Sequence, residues 1–116
     1  VEPIAGLAVS NALRSAVTAM LKTLADEVAA DGITVNCVAP GAIDTERLKS
    51  LMQARIARTG QSAAEYEKQY LSAIPAGRLG TPEEFASCVA YLASKQAAYI
   101  TGSTIAIDGG KRRSTY

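Results

Sequence analysis

Two short β-branched runs constrain the fold of this chain more than any other feature: "ITVNCVA" from Ile33 to Ala39 and "TIAID" from Thr104 to Asp108. Neither alternates strictly between apolar and polar residues. Such strands need cover on both faces, as in a parallel sheet. The segment before the second run reads as a helix. Thr81 and Glu84 have capping-box spacing, Pro82 takes the first helical position, and Phe85, Val89 and Leu92 share a face up to about Ser94. A strand–helix–strand order implies parallel strands joined by a right-handed crossover. Pro40-Gly41 and Gly109-Gly110 close the two strands. A two-stranded sheet is marginal alone, so further neighbours are expected.

Upstream, Leu13, Val17, Leu21, Leu24 and Val28 recur with helical period over about Ala8 to Ala30, and Gly32 supplies a C-terminal cap. A second face of small residues, Ala12, Ser15, Ala16 and Ala19, predicts close packing against another backbone. Val1 to Leu7 reads as an irregular lead-in containing Pro3. Between the two strands, Thr45 to Arg58 is helical through Leu48, Leu51, Met52 and Ile56, and stops at Gly60. A capping box, Ser62 to Glu65, opens another helix with Tyr66 and Tyr70 on one side. Pro75 and Gly77 end that excursion. The two tyrosines read as packing residues, and Asp44 and Glu46 as solvated ones.

Composition narrows the function classes. The chain has 116 residues with net charge +1, too near neutrality for broad binding to nucleic acid or an anionic membrane. Its only basic run, Lys111-Arg112-Arg113, reads as a solvated tail. No apolar stretch approaches the roughly 18 residues of a membrane span, and the residues before the first helix do not read as a signal segment. The sequence contains no histidine, which removes the commonest general base and metal ligand, and no metal site is expected. Cys37 and Cys88 lie in apolar patterns without CxxC spacing. They read as buried free thiols suited to a reducing, cytoplasmic compartment. The chain begins with Val1 rather than Met, which reads as a truncated, processed or excised piece, or half of a longer protein.

Three stretches, "GITVNCVAPGAIDT", "GRLGTPEEFASCVAYLAS" and "YITGSTIAIDGG", together resemble the C-terminal part of the short-chain dehydrogenase/reductase (SDR) family over nearly the whole chain. The resemblance implies an α/β fold. The chain would be the C-terminal portion of a doubly wound, Rossmann-like parallel sheet, with two strands and about four helices. Residues 1–116 would form a single incomplete unit, with 45–75 as a helical, lid-like excursion. NAD(P) is the cofactor the family implies. The family's glycine-rich phosphate turn and its catalytic serine lie in a part not represented here.

The resemblance also assigns site residues. The family places a catalytic tyrosine, and a lysine four residues later, on the helix before the penultimate strand. Counted back from Asn36, those positions fall on Ser10 and Arg14. A serine hydroxyl is far less acidic than a phenol, and arginine holds its proton too firmly to relay one. The pair therefore keeps the cation and loses the acid, and Ser10 reads as a helix cap. Pro40, Gly41, Ile43 and Thr45 match the family's cofactor-facing loop. Gly41 would allow close approach, Ile43 would offer its backbone and Thr45 its hydroxyl. The alternative is a turn kept for its geometry.

Two functions follow. In the first, the chain is the C-terminal part of an NAD(P)-dependent oxidoreductase, inactive by itself and completed by an N-terminal SDR half. In the second, it is a non-enzymatic remnant that self-associates as a dimer or tetramer through its long helix, its last helix and strand, or an open strand edge. Substrate and the choice between NAD and NADP are not written in these residues.

Overall fold

In the computed structural model, which describes residues 6–114, the two apolar runs pair side by side. The element order is α1 (Ala8–Val28), β1 (Cys37–Pro40), α2 (Glu46–Thr59), α3 (Ala63–Ser72), α4 (Pro82–Leu92) and β2 (Thr104–Ile107). Single 3₁₀ turns occupy Ala29–Asp31 and Lys95–Ala97. β1 and β2 make a two-stranded parallel sheet, with Cys37 N donating to Ser103 O and Gly41 N to Ile107 O, each at 2.8 Å. The α/β class, the parallel pairing and the four helices are as the sequence implies.

The first strand begins later and ends later than its apolar run suggests. Ile33 to Asn36 lie outside the regular ladder, while Pro40 is inside it. The cause is the partner. Gly102 has φ +65° and bends its segment away from extended geometry just before β2. The entry is fastened otherwise. Gly102 N donates to Val35 O, Val35 N donates to the Thr101 hydroxyl at 3.1 Å, and the Asn36 amide bridges two backbone groups. Its Nδ2 donates to Ile100 O at 2.7 Å, and its Oδ1 accepts from Ser103 N at 3.2 Å. Because Cys37 and Gly41 turn their amides toward β2, the alternate residues Asn36, Val38 and Pro40 turn theirs to the opposite edge. A proline therefore costs β1 no bond to β2.

Helix ends follow the residues written there. Thr45, Ser62 and Thr81 hydroxyls accept from Leu48, Glu65 and Glu84 amides. Gly32 and Gly60 close their helices in left-handed conformation, at φ +73° and +70°. The Ser62 box is only half formed, since the Glu65 carboxylate accepts from the Ser62 hydroxyl rather than from its amide. α4 ends at Leu92, two residues short of the expected Ser94.

The chain divides into two compact units: the described residues within Val1–Ala39, Cys88–Ile105 and Ser114–Tyr116, and Pro40–Ser87 with Ala106–Arg113. Neither holds a large buried core. Among the described residues only Ala25, Ala42, Ile74 and Ala97 are buried apolar residues. The expected apolar stripe of α1 splits. Leu21 and Val28 are half-buried beside buried Ala25, whereas Val9, Leu13, Val17, Met20 and Leu24, at three- and four-residue steps, are all exposed. Val9 is 75% exposed and Leu13 63%, so this face lies open along its length. Ala12, Ser15, Ala16 and Ala19 are exposed as well. Cys37 and Cys88 are free thiols but only half-buried, for the same want of covering side chains. No described helix is long and apolar enough to cross a membrane.

Asn36 is the least replaceable side chain of the strand entry. Asn36→Ala removes one donor and one acceptor from part-buried backbone groups and should lower unfolding stability by about 1–3 kcal/mol. Urea denaturation followed by circular dichroism checks this.

Candidate functional site

The resemblance assigns four residues at the end of β1 and in the loop after it: Pro40, the last residue of the strand, and Gly41, Ile43 and Thr45 beyond it. Gly41 has no positive φ; its constraint is steric. A Cβ on Gly41 would sit 2.6 Å from Asp108 Cβ and nearer still to Asp108 Cα. The close approach this glycine permits is that of its strand partner's backbone. Thr45 also has a structural duty. Its hydroxyl accepts from Leu48 N at 3.3 Å as the cap of α2 and donates to Ile43 O at 3.4 Å. Asp44 and Glu46 are solvated, yet both pair with Lys49, at 3.4 and 3.1 Å. Those carboxylates, Glu46 foremost, raise the Lys49 ammonium pKa above its ordinary value.

Ile43 lies between two backbone hydrogen bonds to a single residue. Gly80 N donates to Ala42 O at 2.9 Å, and Asp44 N donates to Gly80 O at 2.8 Å, forming an isolated parallel bridge between Ile43 and Gly80. The bridge is flanked by a charged fork. Arg78 Nη1 and Nη2 donate to Glu84 Oε2 and Oε1 at 2.9 and 2.6 Å, and Nη1 also reaches Leu79 O at 3.0 Å. Glu84 Oε2 further accepts from Thr81 N at 2.8 Å, completing the capping box of α4. Hydrogen bonds from Arg78 and then from the Thr81 amide hold the Glu84 carboxyl down at about 2, against an ordinary 4.5. Ala42, Ile43, Gly80, Arg78, Glu84 and Asp108 line a small open hollow at this place.

Ser10 and Arg14 lie one turn apart in α1. Ser10 is half-buried, on the face of Leu21 and Val28, and Arg14 is exposed. The cap position of α1 falls on Leu7 without a side-chain hydrogen bond, so Ser10 is inside the helix rather than capping it. In the excursion, Tyr66 and Tyr70 stack with ring centroids 6.2 Å apart. Lys111, expected in a solvated tail, stands with its Nζ 5.1 Å from the Tyr70 centroid. Burial, and then Tyr66, push the Tyr70 phenol pKa upward.

Sequence reasoning found Thr81 and Glu84 as a helix cap and missed Arg78 and Gly80. Arg78 and Glu84 stand six positions apart, a spacing that no helix or strand period brings together. The nearest signal was the capping-box spacing of Thr81 and Glu84, whose carboxylate reaches back past the Thr81 amide to Arg78.

The parallel strands, their crossover helix and the Pro-Gly turn define an α/β unit of Rossmann type. The profile of the enoyl-(acyl carrier protein) reductase family matches residues 2–112. The 3-oxoacyl-[acyl-carrier-protein] reductase FabG of Vibrio cholerae is 45% identical over 106 residues, covering 91% of this chain and 39% of that protein. A diacetyl reductase [(S)-acetoin forming] of Staphylococcus aureus is 38% identical over 112 residues, covering 97% and 43%. Among solved structures, YwfH, an NADPH dependent reductase involved in bacilysin biosynthesis, superposes with a TM-score of 0.89 at 35% identity, over 97% of this chain and 43% of its own. The chain belongs to the short-chain dehydrogenase/reductase family and corresponds to the C-terminal part of that fold. It spans about 40% of the length of the relatives it matches.

The fork makes a pH prediction. The folded Glu84 pKa lies below its unfolded value, so its contribution is complete above about pH 4.5 and is lost as pH falls through about 2. A carboxyl NMR titration should place the Glu84 midpoint near 2, and Arg78→Gln should move it upward.

Proposed function

We propose that this chain is the C-terminal part of an NAD(P)-dependent SDR oxidoreductase and that it does not transfer hydride by itself. The observation that carries the reading is the pair Ser10 and Arg14, which stands where the family resemblance puts tyrosine and lysine. The relatives' names point to carbonyl substrates, 3-oxoacyl groups and small diketones, for the complete enzyme. In such an enzyme a nicotinamide accepts or donates hydride, while Ile43 and Thr45 would face it from this chain. Those residues do not make a nucleotide site alone. The open side of Gly41 is occupied by Asp108, and the Thr45 hydroxyl caps α2. Arg14 would hold positive charge near the reacting carbonyl but would relay no proton. The remainder of the site would come from an N-terminal SDR half. Free thiols suit a cytoplasmic setting.

A second reading, a self-associating non-enzymatic module, rests on a specific observation: the exposed line Val9, Leu13, Val17, Met20 and Leu24. An apolar helix face this continuous favours a partner helix, most simply in a two-fold homodimer.

The two readings predict different measurements. Purified chain should oxidise neither NADH nor NADPH above blank with 3-oxoacyl or diketone substrates, and Ser10→Tyr with Arg14→Lys should not restore turnover, since chemistry needs a positioned nicotinamide. Turnover well above blank overturns the inactivity.

For assembly, light scattering should find a dimer or larger at micromolar concentration, and Val17→Glu should dissociate or unfold it. A stable folded monomer of the unchanged chain contradicts self-association.

A further inference from the structure

We infer that Arg78 and Glu84 are positioning residues for the loop from Ala42 to Thr45, acting on it through Gly80. The inference rests on the reading of that loop as the cofactor-facing one, and it adds residues which that reading does not contain.

The argument is a chain of contacts within Pro40–Ser87. Ile43 has no regular strand to hold it, because β1 ends at Pro40. Its backbone position is set by the bonds on either side, Gly80 N to Ala42 O and Asp44 N to Gly80 O. Whatever locates Gly80 therefore locates Ile43. Gly80 belongs to the irregular segment before α4 and needs an anchor of its own. The Glu84 carboxylate supplies it by holding both sides of the glycine, Arg78 before it and the Thr81 amide after it. Arg78 adds a third hold by donating to the carbonyl of Leu79, the residue adjoining Gly80. One carboxylate and one guanidinium thus close a ring around residues 78–84, with Gly80 inside it.

The chemistry of the fork suits that duty. Two parallel N–H···O bonds fix an orientation that a single ammonium contact would leave free to swivel. The pair is exposed, at 60% and 43% of its side-chain surface, so as an isolated surface ion pair it would contribute little to global stability. Its effect is local. A Cβ on Gly80 would lie 2.9 Å from Ile43 Cδ1, the terminal methyl of a side chain that can turn aside, so the coupling runs through the backbone of Gly80. The fork holds the glycine, the glycine holds the loop, and no side chain intervenes to blur the transmission.

Amide hydrogen exchange by NMR on the cofactor-free chain tests this. The reporters are Asp44 N–H and Gly80 N–H, with Gly41 N–H, bonded to Ile107, as the strand reference. In Arg78→Gln the two loop amides should lose protection by about tenfold or more while Gly41 keeps its own, tenfold being the weight of one charge-assisted bond. Glu84→Gln, which retains an acceptor for Thr81 N, should act in the same direction and serves if Arg78→Gln unfolds. Arg78→Lys should recover part of the protection, as one bond replaces two. Unchanged loop amides, or equal loss at Gly41, overturn the inference. Because no cofactor is present, the result is independent of whether the loop faces a nicotinamide, which the turnover assay addresses separately.

Discussion

The parallel pairing of the segment around β1 with that around β2 is the interaction on which the other elements depend. A parallel ladder cannot be closed by a hairpin, so its two members arrive from positions more than sixty residues apart and only backbone bonds identify the register. The chain secures that register with small chemistry. Asn36 reads the carbonyl of Ile100 and the amide of Ser103, and Gly41 tolerates no neighbour but the bare backbone of Asp108. A slip by one residue would remove both fits at once, and it would also turn each strand over.

What the ladder does not provide is a core. With only three alanines and Ile74 buried among the described apolar residues and many large ones exposed, hydrophobic burial contributes far less than a sequence this apolar could yield. Local devices carry more of the organisation in consequence: capped helix starts, glycine helix ends and the bridge between Ile43 and Gly80. The same economy shapes the candidate site. Its loop is tied from below by strand partners and from the side by the segment before α4. Thr45, which the family resemblance would put against a cofactor, already anchors α2.

Periodicity and punctuation made the element order legible. Every helix start within the described residues, apart from that of α1, carries a hydroxyl that the sequence displays, and two of the helix stops carry a glycine. Strand limits were less legible, because they depend on the partner: Gly102, distant in sequence, delays β1, and Pro40 survives within it by facing the other edge. Helix faces were harder still. The spacing of Leu13 and Val17 says that they share a side, but not whether anything covers it, and here Ala25 turned inward instead. At the site, family register proposes single positions, whereas it says nothing of the Arg78–Glu84 fork. Its geometry belongs to a helix cap, where the Glu84 side chain reaches back beyond the start of α4 to a residue that no period connects with it.

Pro40 carries one more consequence. On the edge of β1 away from β2, successive rungs would be offered by Asn36 and Val38, and the next belongs to a residue without an N–H. A strand laid along that edge can zip forward to Val38 and then finds no donor. The proline thus works as a length gauge. Any strand added along that edge, from this chain or another, would meet one missing donor at the last residue of β1, just before the turn at the carboxyl end of the sheet.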